Sequence, residues 1–210
     1  MELDTRLRMP FSMIVSGSSQ SGKTVFTANL VANIAEMATE APERIIWAYG
    51  EWQPNYVKIS QIKGVEMCQG IPNIDELRDD KRCKLLVLDD LMDEASKDTT
   101  LTTLFTKASH HFNLSVVHLV QNCFYGNLRT ARINASYLVL FRSPADKLSV
   151  MNLGKQLYPK NAKFFVQVFN DACSRPYSYL FIDLTQQMDD KYRLRTNIMP
   201  DEVCFVYLAK

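Results

Sequence analysis

Residues 11–25 read FSMIVSGSSQSGKTV, an apolar run followed at once by glycines, serines and a lysine. A mobile turn would account for Gly and Ser, but Gly17, Gly22, Lys23 and Thr24 also match G-x-x-x-x-G-K-[ST] without a gap. At average residue usage that pattern arises by chance in roughly one chain of this length in a hundred. The reading is a phosphate cradle. Glycines permit tight backbone curvature, and successive N–H groups turn inward through Gly17, Ser18, Ser19, Gln20, Ser21 and Gly22. The positive end of the following helix adds to the field. Lys23 can reach the β- and γ-phosphates of a nucleotide such as ATP, and the Thr24 hydroxyl can ligate Mg²⁺.

If the cradle follows a strand, other polar residues of the site belong at the ends of other strands. The pattern predicts strands at 11–17, 44–50 (RIIWAYG), 84–91 (KLLVLDDL), 114–122 (LSVVHLVQN), 137–142 (YLVLFR) and 177–184 (YSYLFIDL), with a short one at VEMCQG. Helical spacing of Phe26, Leu30, Ile34 and Met37 predicts a helix after the cradle. Others are expected at IPNIDELRDD with Asn73 as cap, over SKDTTLTTLFTKASHHF, at LRTARINA, and at 145–157 and 161–172. Residues 51–64 read as irregular, and VCFVYLA (203–209) as a last strand. Near-continuous apolar strands alternating with helices imply a mostly parallel sheet covered on both faces.

Two of those strands end in site-like residues. Asp89 and Asp90 close KLLVLDDL, where Asp89 can join a Mg²⁺ shell and Asp90 can polarise a water; Glu94 is the fallback base. A solvated acidic turn is the bland alternative. Gln121 and Asn122 close the next strand. Gln121 is the better candidate for touching a γ-phosphate, against an amide that merely caps a turn. The sequence does not order the strands, but it does supply an extra strand with a polar end after the aspartates.

At 210 residues and 47% hydrophobic, the composition fits one α/β domain over 1–210. Its core is expected over about 8–185, with 186–210 as a C-terminal extension. No apolar run reaches the roughly 20 residues of a membrane span, and MELDTRLRMPF does not read as a signal peptide. Cys68, Cys83, Cys123, Cys173 and Cys204 are unclustered and odd in number, as expected of reduced thiols inside a cell. His110 and His111 are adjacent and read as surface or packing residues rather than metal ligands. Net charge is +1, but residues 1–105 carry −5 and residues 106–210 carry +6. That polarity suits an anion-facing second half or head-to-tail packing of subunits.

The set GSSQSGKT, RIIWAYGEWQPNY, LLVLDD, HLVQN and RTARINASYLVLFRSP resembles the FtsK–HerA group of P-loop ATPases over about residues 8–160. More narrowly it is similar to the DNA-packaging ATPases of large eukaryotic DNA viruses and Polinton (Maverick) elements, with the poxvirus packaging ATPase as a relative. The resemblance implies a three-layer α/β P-loop NTPase of the additional-strand (ASCE, RecA-like) division. It also implies a homo-oligomeric ring that hydrolyses ATP with Mg²⁺ and pumps double-stranded DNA into a viral capsid at a portal-like vertex. Such a protein would work where virions assemble, in the host nucleus or cytoplasm, or travel with the virion. An arginine supplied to the neighbouring subunit is implied too, with Arg129 and Arg132 as the matching residues and Arg142 third. Many members place Glu where this chain has Asp90, one methylene shorter.

Trp47 reads as buried packing, while Tyr49 and Trp52 are candidates for stacking on adenine or facing DNA. Lys155, Lys160 and Lys163 are candidates for lining a pore. The competing functions are a small-molecule or nucleotide kinase, which needs an arginine-bearing lid for which the sequence offers only Arg193 and Arg195 in the tail, and a nucleotide-gated scaffold.

Overall fold

The computed structural model describes residues 4–91, 104–105, 112–124, 128–144 and 147–209. The helix expected over SKDTTLTTLFTKASHHF, and with it His110, His111 and Glu94, lies outside the described residues apart from Leu104, Phe105 and Phe112, all buried.

Nine strands are described. They are β1 (Ser12–Ser16), β2 (Arg44–Tyr49), β3 (Val65–Gln69), β4 (Lys84–Asp89), β5 (Leu114–Val120), β6 (Tyr137–Phe141), β7 (Tyr179–Asp183), β8 (Leu194–Thr196) and β9 (Phe205–Val206). The helices are α1 (Lys23–Ala32), α2 (Ile34–Met37), α3 (Tyr56–Ile59), α4 (Ile74–Asp79), α5 (Leu128–Asn134), α6 (Lys147–Leu157) and α7 (Ala162–Ala172). No helix among the described residues is long and apolar enough to cross a membrane.

All strands belong to one sheet, in the order β3-β2-β4-β5-β1-β6-β7-β8-β9. The first six pair in parallel and the last three antiparallel. Thus β5 lies between β4 and β1, which is the insertion that defines the additional-strand division. Side chains alternate between two apolar layers. Met13, Val15, Trp47, Leu85, Val87, Val117 and Val139 face α1 and α3. Ile14, Ile46, Leu86, Leu88, Val116, Leu138 and Leu140 face α4, α5, α6 and α7. Both faces being covered, the central strands carry no polar stripe, and β1, β4, β5 and β6 are buried along their whole length.

Register levels the strand ends. Ser16 is opposite Val120, Tyr49 is opposite Asp89, and Leu140 is opposite Ser16. The carboxyl ends of the parallel strands therefore share one rim. Because β7 runs antiparallel to β6, pairing Tyr179 with Phe141, the turn before β7 comes to that same rim.

Several boundaries differ from expectation. The first helix is interrupted at Asn33 (φ −108°, ψ 9°) before the single turn of α2. Residues 51–64 include the short helix α3. β7 begins at Tyr179 because Tyr177 takes a left-handed turn with φ 64°. The tail strand is reduced to Phe205–Val206 and is exposed. β8 has no apolar signature, since its centre is Arg195. Arg195 is buried by an ion pair, its Nη2 donating to Asp183 Oδ2 at 2.8 Å with both side chains under 4% exposed. The guanidinium also lies 4.8 Å over the Phe181 ring. Asp183 Oδ1 accepts from the Thr185 amide and hydroxyl.

Removing one partner of such a pair leaves an uncompensated buried charge. Asp183→Ala should lower unfolding free energy by about 3–5 kcal/mol. Urea denaturation checks this, with the double variant Asp183→Leu/Arg195→Met expected to recover most of the loss.

Candidate functional site

The cradle is assembled by local backbone geometry. Gln20 (φ 61°) and Gly22 (φ 105°) are both left-handed, which curls the chain before α1 begins. Gly17 is required by crowding: a Cβ there would lie 2.6 Å from both Phe141 Cβ and Ser21 Oγ. Lys23 Nζ donates to the Gly17 and Ser18 carbonyls at 2.8 and 2.9 Å. Burial pushes its ammonium down, opposed by Asp89 and Asp90. Ser21 Oγ is buried with no hydrogen-bond partner among the described residues, so the cradle holds a donor free for an anion.

The three separated segments meet. Thr24 Oγ1 lies 3.3 Å from Asp89 Oδ2. The Gly17 amide donates to the Val120 carbonyl at 3.2 Å, and Ser16 Oγ accepts from the Cys123 amide at 3.0 Å, so the cradle is tied to the end of β5. One cavity of about 730 Å³ is lined by Ser19, Gln20, Ser21, Gly22, Lys23 and Thr24 together with Asp89, Asp90 and Gln121. Gly17 and Ser18 are not among its lining residues and contribute the carbonyls that hold Lys23. Asn122 instead closes a turn, its Oδ1 accepting from the Phe124 amide at 2.8 Å.

Asp89 is 5% exposed, and burial pushes its carboxyl up to about 6 against the stabilising hydroxyls of Tyr56 and Thr24. Asp90 is exposed and left-handed (φ 57°), a conformation that Asp tolerates better than most residues. Its carbonyl sits where a Cβ on Gly50 would come within 2.7 Å.

Other parts of the cavity were not singled out one by one in the sequence. Gln53 and Asn55 of the YGEWQPNY segment line it too, as do Tyr177, Tyr179, Met199 and Glu202. Tyr179 packs edge-on against Phe26 at 4.6 Å, and Tyr177, 71% exposed, sits over Gly22. Tyr177 and Tyr179 are carried to the rim by the reversal of β7, which no local pattern announces.

Tyr49 and Trp52, candidates for stacking on adenine or facing DNA, are not among the residues that line this cavity. They pack on each other at 5.4 Å and against Tyr56 at 5.2 and 5.7 Å. Trp47 is wholly buried, as expected. Arg129, Arg132 and Arg142 are likewise absent from the lining. Arg129 and Arg142 are exposed, whereas the Arg132 guanidinium lies 4.9 Å over the Phe124 ring. Lys155, Lys160 and Lys163 are exposed on α6, α7 and the turn between them.

Sheet order and strand-end placement define the class: this is a P-loop NTPase of the additional-strand division, α/β with a mostly parallel sheet. More narrowly, the chain belongs to the poxvirus A32 protein family, whose signature matches residues 42–205. A search of curated proteins finds no match. Among solved structures, the chain is similar to B204, the DNA-packaging ATPase of Sulfolobus turreted icosahedral virus. Identity is 14% over 86% of this chain and 95% of that one, with a TM-score of 0.57. It is also similar to the genome packaging NTPase B204 of Sulfolobus turreted icosahedral virus 2 in complex with ATP-gammaS. There the identity is 12% over 96% and 98% of the two chains, with a TM-score of 0.56. At such identities the likeness bears on the fold.

The raised Asp89 carboxyl has a stability consequence without ligand. Between an ordinary carboxyl value near 4 and the folded value of about 6, the folded protein holds a proton that the unfolded chain has released. Ionised Asp89 therefore costs stability, in full above pH 6; the cost shrinks as pH falls below 6 and is gone only below the ordinary carboxyl value near 4. Asp89→Asn should be about 1–3 kcal/mol more stable than the unchanged protein at pH 7. The gap should narrow by pH 5, as read by urea denaturation without nucleotide or divalent cation.

Proposed function

We propose that this protein is a genome-packaging ATPase, hydrolysing ATP to translocate double-stranded DNA into a viral capsid as part of a homo-oligomeric ring. One observation carries the reading: the cradle, the Asp89–Asp90 pair and Gln121 line a single cavity at the inserted strand. Membership of the poxvirus A32 protein family and the fold shared with the B204 packaging enzymes support it.

In this reading the loop amides, Ser21 Oγ and Lys23 bind the triphosphate. The orphaned Ser21 hydroxyl and the inward lysine fit an anion of that kind. Thr24 and Asp89 would hold Mg²⁺: their oxygens are hard donors, side by side at the cradle. When bound, the ion supplies neutralisation of charge on the β- and γ-phosphates. Asp90 orients the attacking water and takes its proton, and its exposed position in the cavity leaves it accessible to both. Gln121 reports the state of the γ-phosphate to β5. The nucleobase occupies the aromatic end, beside Tyr177 and Tyr179.

Arg129 is the better arginine to act on a neighbouring subunit. Arg132 already rests on Phe124 of its own chain, whereas Arg129 is exposed in the first turn of α5. An arginine there stabilises charge on the transferred phosphoryl group, an effect worth ~10³–10⁵-fold in turnover in related chemistry. DNA would meet the exposed lysines of α6 and α7. A ring multiplies each contact, so a chain of net charge +1 can still bind DNA with a steep salt dependence. Action at the site of virus assembly follows from the same reading.

The kinase alternative loses its lid. Arg193 is bonded to Asp190 and to the Asp183 and Thr185 carbonyls, and Arg195 is buried against Asp183.

The test measures ATP turnover and assembly size together, with and without duplex DNA. Turnover should rise with DNA as a larger assembly forms. Lys23→Ala and Arg129→Ala subunits, each inactive alone, should regain part of the activity when mixed. DNA-indifferent turnover by a monomer would contradict the proposal.

A further inference from the structure

The narrow motif YGEWQPNY (49–56) touches both members of the aspartate pair, through Tyr56 and Gly50. β2 is the immediate neighbour of β4, with Tyr49 in register with Asp89, so the segment leaving β2 starts beside the aspartate pair, with β3 on its other side. Gly50 yields the space that the Asp90 carbonyl fills. The Tyr56 amide donates to the Gln53 carbonyl at 2.9 Å, folding the chain back into α3. Tyr56 itself is wholly buried, and its hydroxyl donates to Asp89 Oδ2 at 3.1 Å.

Two hydroxyls, from Tyr56 and Thr24, thus converge on one oxygen of Asp89. Trp47, Tyr49 and Trp52 pack around the Tyr56 ring at 6.4, 5.2 and 5.7 Å, which fixes where its hydroxyl points. A phenol confined in this way limits rotation of the carboxylate. Residues that hold a metal-ligating side chain by a hydrogen bond orient it and tune its affinity.

We propose that Tyr56 is a positioning residue for nucleotide-dependent divalent-cation binding: its hydroxyl, clamped by the aromatic rings of the motif, holds Asp89 toward Thr24. The inference rests on the nucleotide-site reading given above. It assigns the YGEWQPNY segment to the metal side of that site rather than to adenine or DNA.

Tyr56→Phe removes the hydroxyl while keeping the ring. Calorimetric titration with ADP, with and without Mg²⁺, separates the contributions. In the unchanged protein Mg²⁺ should tighten ADP binding. In Tyr56→Phe that enhancement should fall ~10-fold or more, while metal-free ADP affinity stays within about twofold. In an Asp89→Ala background, Tyr56→Phe should have no further effect, because the hydroxyl acts through that carboxylate. An unchanged Mg²⁺ enhancement in Tyr56→Phe overturns the proposal. So does an equal loss of metal-free affinity, an effect persisting without Asp89, or a variant that fails to fold, each of which makes Tyr56 a packing residue. Failure of the unchanged protein to bind ADP at all would instead remove the nucleotide reading beneath it.

Discussion

Thr24 and Asp89 lie 65 residues apart in the chain and 3.3 Å apart in space, and the site depends on that approach. Asp89 ends β4 and Thr24 lies in the first turn of α1, after β1, and those two strands do not touch, for β5 runs between them. The spacing works because the cradle bends outward over the end of β5, where the Gly17 amide is bonded to the Val120 carbonyl. The polar residue following β5, Gln121, is thereby placed between the phosphate-binding loop and the carboxylates. A sheet with β4 directly beside β1 would have no position for it.

The rest of the rim is built around that constraint from both sides. On the β2 side, the aromatic segment brings a phenol to Asp89 and leaves room for the backbone of Asp90. On the β6 side, the sheet turns antiparallel and delivers Tyr177 and Tyr179 to the cavity mouth. The buried Arg195–Asp183 pair lets a strand without an apolar core join β7, so the C-terminal segment contributes Met199 and Glu202 to the same cavity. What reads as an appended tail in sequence thus forms one wall of the site.

How much of this was legible follows from how local each signal is. The cradle is nearly self-sufficient: its glycines, lysine and threonine act within eight residues, so the pattern reveals the geometry. The aspartate pair was legible because a buried strand ending in two carboxylates has few other uses beside such a loop. The existence of β5 could be read from its apolar run, but its place in the sheet depends on pairing that no short window contains. Tyr56 was visible only as one aromatic among four. Its value comes from Asp89, 33 residues later in the sequence, and from the rings that confine it. The packing of Tyr49 and Trp52 on Tyr56 was illegible for the same reason, since an aromatic near a strand end can face a ligand or face another ring. β8 escaped notice because charge pairing replaced the apolar pattern that marks strands.

The central claim is that three separated segments enclose one metal-bound triphosphate at a single rim of the sheet. A structure of the chain with ATP-gammaS and Mg²⁺ tests it most directly. The account predicts the triphosphate in the 17–24 loop, the ion at about 2.0–2.1 Å from Thr24 Oγ1 with Asp89 in its first or second shell, and Gln121 facing the γ-phosphate. A nucleotide bound elsewhere, or an ion distant from Asp89, would contradict it.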